Sequence, residues 1–111
     1  MINKLTLIFV FLITFVSAAE PQPDHQIFDR LLKKFVKENL VDYAGILNDR
    51  KILQDYLKQF NSVSVSKLNK NEQLALFINA YNAFTIELIL ENFSPKLKSI
   101  NDIKKPWDIK F

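Results

Sequence analysis

The stretch FINAYNAFTI, residues 77–86, lies in the most apolar part of the chain outside its N-terminus, yet it carries Asn79 and Asn82 one helical turn apart. Asparagine is a middling helix former, because its amide competes for local backbone groups. A buried amide that makes no hydrogen bonds costs about 1–3 kcal/mol. The placement of these two amides therefore decides how the surrounding helix can pack.

The helix that contains this stretch has the clearest start signal in the sequence. Asn69 is the predicted N-cap, and Glu72 follows three residues later, where its side chain can close a capping box. We expect the helix to run to about Asn92, because the Phe-Ser-Pro sequence at 93–95 stops it. At about 100° per residue, five large apolar residues share an arc roughly 80° wide. The predicted core contacts on this arc are Leu74, Phe77, Tyr81, Phe84 and Leu88.

The other side of the same helix combines the two asparagines with smaller apolar residues. Ala75 and Ala83 would let another segment approach closely, and each amide offers two donors and an acceptor. In one interpretation, the amides bind the backbone of a neighbouring loop or strand, and Asn82→Leu destabilises the fold. In the other, they line a pocket and orient a ligand or a catalytic group. The residue types favour the first interpretation.

Shorter elements are predicted upstream of this helix. Asp24 can cap a first helix over residues 26–39, and residues 40–43 have a strand-like pattern. Gly45, the single glycine, indicates a turn. A second amphipathic helix is expected from residue 48 or 49 to residue 60.

Two further segments complete the predicted fold. The polar sequence at 61–67 is typical of a loop. Near the C-terminus, Trp107, Ile109 and Phe111 alternate with charged residues, which is the period of a half-buried strand. The sequence therefore predicts a mainly α protein with three amphipathic helices and short strand segments. Because an isolated strand needs a partner, we expect the chain to be a fragment of a larger α+β domain.

The N-terminal residues 1–19 have the layout of a secretory signal peptide. Lys4 precedes an apolar run of about 12 residues and then the small residues at 17–19. A membrane span needs about 20 apolar residues, so cleavage is favoured over the alternatives of an uncleaved anchor or a cytoplasmic start. Cleavage after Ala18 or Ala19 would leave a linker at 20–26 and a domain at 27–111. We expect a protein exported to the periplasm or beyond, with no stable membrane span after cleavage.

Composition argues against several classes of function. The 15 Lys and Arg residues are interleaved with 12 Asp and Glu residues, so no basic stripe of the kind that binds nucleic acid forms. The chain has no cysteine, which removes disulfides, thiol nucleophiles and thiolate metal sites. His25 is the one histidine and lies next to the Pro-rich leader, where it suits a helix entrance. No metal site and no cofactor are indicated.

The run NEQLALFINAYNAFT, residues 71–85, resembles the central motif of the DUF547 family, a domain of unknown function. Weaker similarities flank it: residues 40–43 resemble a V-D-Y segment of the family, residues 99–103 an S-I-x-D-I segment, and residues 106–107 a P-W segment. The resemblance extends from about residue 28 to residue 111. It implies a structural or site-supporting role for the motif residues Glu72, Gln73, Asn79, Tyr81 and Asn82.

Members of this family are often exported in bacteria, and their function is not established. The resemblance implies that full-length members continue past this point, with a histidine in an I-E-H segment and a cysteine in a C-x-x-x-S-C-P-like segment. Such a pair would suit thiol-based acyl transfer or hydrolysis. This chain ends before both segments, so neither residue can be assigned to it.

Two hypotheses of different classes follow. In the first, the protein is an exported, truncated DUF547 protein that is inactive as this 111-residue chain. Its candidate partner is the missing C-terminal part of its own domain. The alternative is a self-sufficient small helical module that binds a peptide, a cell-wall component or a protein. The carboxylates show no spacing that identifies an acid–base pair.

Overall fold

The computed structural model describes residues 20–94, which form four α-helices, one two-stranded antiparallel hairpin and two 3₁₀ turns. The elements follow in the order α1 (His25–Phe35), β1 (Val36–Lys37), β2 (Leu40–Val41), α2 (Tyr43–Asn48), α3 (Arg50–Lys58), the 3₁₀ turns Gln59–Ser62 and Val65–Lys67, and α4 (Lys70–Glu91). The predicted mainly α fold with short strands is confirmed. The predicted signal peptide at 1–19 and the strand pattern at 107–111 lie outside the described residues.

Helix α1 begins where the sequence predicts and ends earlier. The Asp24 carboxylate accepts a hydrogen bond from the Gln26 N–H at 3.1 Å, so the predicted cap is present. The first helical residue is His25, which lies inside the segment predicted as a linker. The helix ends at Phe35 rather than near residue 39, because the next residues pair as a hairpin.

The hairpin explains why the helical pattern of α1 does not continue. Val36 lies opposite Val41 in the antiparallel pair, and the two residues between the strands are Glu38 and Asn39. Their φ angles are 51° and 65°, which is the left-handed region that two-residue hairpin turns require at both positions. Asparagine tolerates this conformation well, so Asn39 is the residue that marks the turn.

Helix α2 replaces the turn predicted at Gly45. The Asp42 carboxylate accepts the Gly45 N–H at 2.9 Å and caps the helix, so the strand-like pattern ends at Val41. A Cβ on Gly45 would lie 2.5 Å from the Asp42 carboxylate and 2.6 Å from the Phe35 ring. Glycine is therefore needed here for close packing within a helix, and the prediction of a turn is wrong.

Helix α3 ends in irregular helical turns instead of an open loop. It gives way at Gln59–Ser62 to a 3₁₀ turn, and Val65–Lys67 forms a second one. The predicted end of this helix near residue 60 is therefore close to the observed one. The polar stretch that follows connects α3 to α4 through single turns.

The core lies where α1, α3 and α4 meet, and α2 contacts both α1 and α4. Its aromatic part is built around Tyr56, which is completely buried. The Phe28 ring stacks on Tyr56 at a centroid distance of 5.2 Å, and the Phe60 ring meets it edge-on, also at 5.2 Å. The buried members of the core are Phe28, Leu31, Ile46, Leu53, Tyr56, Leu57, Ala83, Ile86 and Leu90.

Helix α4 turns a different side to this core from the one predicted. Leu74, Phe77 and Tyr81 are 59%, 55% and 62% exposed, whereas Phe84 is half-buried and Leu88 is buried. The buried side, which we call the core face, consists of Leu76, Ala83, Ile86 and Leu90. The prediction holds for Phe84, which packs against the core, and for the buried Leu88. It is wrong for Leu74, Phe77 and Tyr81, because both sides of α4 are apolar and apolar periodicity alone does not choose between them. On the buried side, Ala83 is small enough for close approach and is completely buried.

The ends of α4 agree with the sequence analysis. The Asn69 side chain accepts the Glu72 N–H at 2.8 Å, and the Glu72 carboxylate accepts the Asn69 N–H at 3.0 Å, so the capping box is confirmed. The helix ends at Glu91 with Asn92 as its C-cap. By length and composition alone, α4 is apolar enough to cross a membrane, as core helices of globular domains can also be.

Candidate functional site

The largest exposed apolar surface feature of α4 is a patch that we call the motif face. It comprises Leu74, Phe77, Ile78 and Tyr81, each more than half exposed. At about 100° per residue these side chains span roughly 100° of arc, nearly opposite Ala83. With large side chains of about 200 Å² each, their exposed parts amount to roughly 450 Å². Contiguous apolar patches of this size often mark contact sites on soluble proteins.

The two asparagines do not lie on the motif face and do not share one environment. Asn79 is half-buried beside the core face, whereas Asn82 is exposed. Among residues 20–94, neither amide has a hydrogen-bond partner. The predicted bond to a neighbouring backbone is therefore not made by this part of the chain, and an exposed Asn82 removes the reason to expect Asn82→Leu to destabilise it. Tyr81 presents an exposed ring, and its carbonyl accepts the Thr85 hydroxyl at 2.6 Å.

The asparagine amides were expected to bind the backbone of a neighbouring segment, and Gln73 makes hydrogen bonds of this kind instead. Its amide nitrogen donates to the carbonyls of Val65 and Leu68, each at 3.0 Å. The 3₁₀ turn is thereby held against the first turn of α4. Glu72, beside it, closes the capping box and also accepts a hydrogen bond from Gln22. Within the described part of the chain, these two motif residues bind protein groups.

Glu87 is a buried charge that the sequence analysis did not single out. Its side chain is 7% exposed, and its Oε1 accepts hydrogen bonds from Arg50 at 2.7 Å and 3.1 Å and from Gln54 at 3.1 Å. The bond to Glu87 raises the pKa of Arg50 further above its usual value. The second carboxylate oxygen is buried without a hydrogen-bond partner. This cluster joins α3 to α4, and its sequence signal is one carboxylate inside the apolar run at 85–90.

A second buried polar pair lies where α1 meets α3. The His25 Nδ1 and the Tyr56 hydroxyl are 2.7 Å apart, and the His25 Nε2 is buried without a partner. Burial lowers the pKa of His25, and it raises the pKa of Tyr56 far above its usual value. The pair therefore consists of a neutral imidazole and a neutral phenol at neutral pH. His25 is the first residue of α1, as the sequence analysis expects.

These polar groups do not converge on one site. Within residues 20–94, no three His, Asp or Glu side chains lie close enough together to hold a metal ion. The groove between α1 and α3 is lined by Arg30, Lys34, Asp49 and Asp55 among others, and Lys34 and Asp49 already pair at 2.9 Å. The motif face, in contrast, consists of exposed apolar side chains that are available for contact.

Comparison with known protein families gives a match that includes helix α4. A family model described as "Protein of unknown function, DUF547" matches residues 65–108. Over these residues the chain is similar to the DUF547 family, in agreement with the resemblance of residues 71–85. No curated protein and no solved structure matches the chain. The DUF547 match begins at the second 3₁₀ turn and contains the whole of α4, including the motif face. The resemblance noted at residues 40–43 lies outside it.

The DUF547 motif is therefore divided between roles within this fold. Glu72 and Gln73 hold the start of α4, and Asn79 lies beside the core face. Tyr81 belongs to the exposed motif face. Sequence reasoning identified these residues from the motif, but it did not predict which would be exposed, because that depends on how α4 is turned toward α1–α3.

Proposed function

We propose that the protein is an exported DUF547 protein in which α4 is the central helix of a larger domain. In this proposal the motif face is the surface on which further polypeptide of that domain packs. The observation that carries it is the exposure of Leu74, Phe77, Ile78 and Tyr81 within the matched family region. Large apolar side chains exposed together are unfavourable in water and become favourable when covered.

The chemistry of the described residues supports a contact role over a catalytic one. The buried carboxylate of Glu87 is engaged by Arg50 and Gln54, and His25 is engaged by Tyr56. Both lie in contacts between helices. Any thiol chemistry implied by the family resemblance needs residues that this chain does not carry. The role assigned to these 111 residues is thus to build and hold a domain.

The test compares the mature chain alone with the mature chain in the presence of the polypeptide encoded downstream. Residues 20–111 are purified alone and after co-expression with the polypeptide encoded downstream of codon 111. We expect the downstream polypeptide to copurify and to raise the midpoint of denaturant unfolding. The proposal would be contradicted if the downstream DNA encoded no related segment, or if the midpoint of denaturant unfolding did not change.

A matched pair of variants locates the contact. Leu74→Ser removes an exposed leucine from the motif face, and Leu40→Ser removes one that is 74% exposed in the hairpin. We expect only Leu74→Ser to weaken copurification. Equal effects of both variants would show that the contact is not made by the motif face.

Export rests on the sequence of residues 1–19 and has its own test. Cells that express the full chain are fractionated, and the exported product is sequenced from its N-terminus. We expect a mature chain that begins at Ala19 or Glu20, which corresponds to cleavage after Ala18 or Ala19. A product that retains Met1 in the cytoplasm would contradict export.

The second candidate function is a self-sufficient binding module, which the closed core of residues 20–94 favours. The distinguishing observation is the unfolding of the mature chain. Cooperative unfolding of a stable monomer, with ligand binding abolished by Leu74→Ser, would support the module. A midpoint of unfolding that rises when the downstream polypeptide is co-expressed supports the larger domain.

A further inference from the structure

We propose that residues 20–25 form an N-terminal strap that is docked on the helices at neutral pH and is released when His25 becomes protonated. The sequence predicts a linker over this segment, whereas the structure packs it against the rest of the fold. The strap contains no residue of the motif face, so it adds to the protein a response to pH that the proposed function does not include. His25, the single histidine of the chain, is its titrating group.

Polar contacts hold the strap on two other elements. The Gln22 amide donates to the Glu72 carboxylate at the start of α4. The Asp24 N–H donates to the Gln59 Oε1 in the first 3₁₀ turn at 2.7 Å. Pro23, between these two contacts, is buried. A free linker would leave such groups to water, so the strap is a packed part of the structure.

His25 joins the strap to α1 and lies against the aromatic part of the core. Its Nδ1 is 2.7 Å from the Tyr56 hydroxyl, and its ring meets the Phe60 ring edge-on at a centroid distance of 6.4 Å. Its Nε2 is buried and has no hydrogen-bond partner. A neutral imidazole has one donor and one acceptor nitrogen, so its Nδ1 can accept the Tyr56 hydroxyl. The observed contact therefore suits the neutral ring.

Protonation of His25 makes this docked position unfavourable. An imidazolium carries an N–H on both nitrogens, so Nδ1 no longer accepts the Tyr56 hydroxyl, and the Nε2 N–H is buried without an acceptor. His25 is also the first residue of α1, where the positive end of the helix dipole opposes a cation. Burial lowers the pKa of His25 in the same sense. Movement of the ring into water removes these costs, and the strap has to move with it.

The other groups around the imidazole ring do not reverse this balance. The Asp24 carboxylate, in the strap itself, favours the charged ring, but burial outweighs it in lowering the pKa of the histidine. From α3 the ring faces the phenol of Tyr56, which is neutral because burial raises its pKa far above the usual value. From the 3₁₀ turn it faces Phe60, which has no charge. On α4, the strap meets the Glu72 carboxylate, which Gln22 already engages.

Release of the strap should leave the helices in place. The capping box between Asn69 and Glu72 is closed without any group of the strap. The core residues from Phe28 onward pack against one another and lie outside the strap. Local opening of a segment with few contacts costs less free energy than global unfolding. We therefore expect the strap to open at a pH at which α1, α3 and α4 are still folded.

The absence of cysteine allows a single nitroxide spin label to report on the strap. Pro21→Cys places the label at an exposed position of the strap, and Lys33→Cys places it on the exposed side of α1 as a control. Spectra of the mature chain are compared at about pH 7.5 and about pH 5, which bracket the usual pKa of histidine. We expect the mobile fraction of the label at position 21 to increase severalfold at the lower pH, and the control label to change little.

Two substitutions separate this device from a general effect of acid. In His25→Asn the label at position 21 should lose its pH dependence, because asparagine does not titrate. Tyr56→Phe, which keeps the buried ring and removes the hydroxyl, should raise the mobile fraction already at about pH 7.5. A label that is fully mobile at neutral pH, or a pH response that persists in His25→Asn, would overturn the proposal.

Far-ultraviolet circular dichroism at both pH values distinguishes release of the strap from unfolding. We expect the helical signal to be retained while the label becomes mobile. A loss of helix in parallel with the change in the label would overturn the proposal, because the opening would then be global. These measurements require neither the motif face nor a downstream polypeptide, so their outcome is independent of the proposed function.

Discussion

The two sides of α4 differ in the size of their side chains more than in their polarity. The core face has Ala83 at its centre and packs against the other helices, whereas the motif face carries two aromatic rings and is more than half exposed. A close-packed interior needs a small residue where elements meet at short range. The difference shows that the bulkiest apolar stripe of a helix need not be the one that faces the core.

The polar groups on the two sides of α4 also differ in whether they make hydrogen bonds. Two polar groups near the core face are engaged within the protein: Glu87 with Arg50 and Gln54, and Gln73 with two backbone carbonyls. Asn82, on the remaining side, is exposed and has no hydrogen-bond partner within residues 20–94. Buried polar groups are engaged because leaving them without partners is costly.

The difference in burial between the two sides of α4 is tested most directly by truncating a leucine on each side. Leu90→Ala, on the core face, should lower the free energy of unfolding by about 2–5 kcal/mol, because it leaves a cavity among buried residues. Leu74→Ala should cost less than about 1 kcal/mol, because little buried volume is lost. Urea denaturation of the mature chain measures both. Equal costs would show that the motif face is as buried in solution as the core face.

An effect in the lower half of that range is expected at the charge pair that joins α3 to α4. Arg50→Met leaves the Glu87 carboxylate buried without its cation, and such losses cost about 3–5 kcal/mol when both partners are buried. The Arg50 side chain is 29% exposed, so we expect a cost toward the lower end of that range. The double variant Arg50→Met/Glu87→Met should recover much of it. A double variant no more stable than Arg50→Met would contradict this account.

The capping box gives a still smaller effect. Asn69→Ala removes the acceptor for the Glu72 N–H and should cost about 1 kcal/mol. Asn71→Ala, two residues later at an exposed position, is the matched control and should change the free energy of unfolding by less than about 0.5 kcal/mol. Unfolding curves at one pH provide the measurement. Equal losses would mean that the cap does not hold the start of α4.

The smallest predicted effect is a pH dependence of stability at the edge of the core. Burial lowers the pKa of His25 in the folded protein below its usual value of 6.5, with the Asp24 charge opposing the shift. The unfolded chain therefore binds the proton more readily, and stability should fall as the pH drops below about 6.5 toward the folded-state pKa. His25→Asn should flatten this part of the profile, because the chain has no other histidine. If the stability of the unsubstituted protein instead increased as the pH fell, the predicted direction of the pH dependence would be contradicted.

Much of the fold could be predicted from local chemistry. The caps at Asp24 and Asn69 and the end of α4 at Asn92 depend on residues close in sequence, and all three are present in the structure. Gly45 was misinterpreted because the glycine is required by the Phe35 ring, ten residues away. The exposed side of α4 could not be predicted, since it is set by contacts with α1–α3 and both sides are apolar.

The interaction of Gln73 with the 3₁₀ turn has a consequence for the rotational setting of α4. A helix with two apolar sides could, in principle, turn about its own axis and exchange the buried side for the exposed one. Gln73 binds the carbonyls of Val65 and Leu68 from one angular position only, and Glu87 meets Arg50 near the other end. Two polar contacts about four turns apart thus act as a lock against rotation. Loosening both, as in Gln73→Ala/Arg50→Met, would leave the choice between the two sides to packing alone.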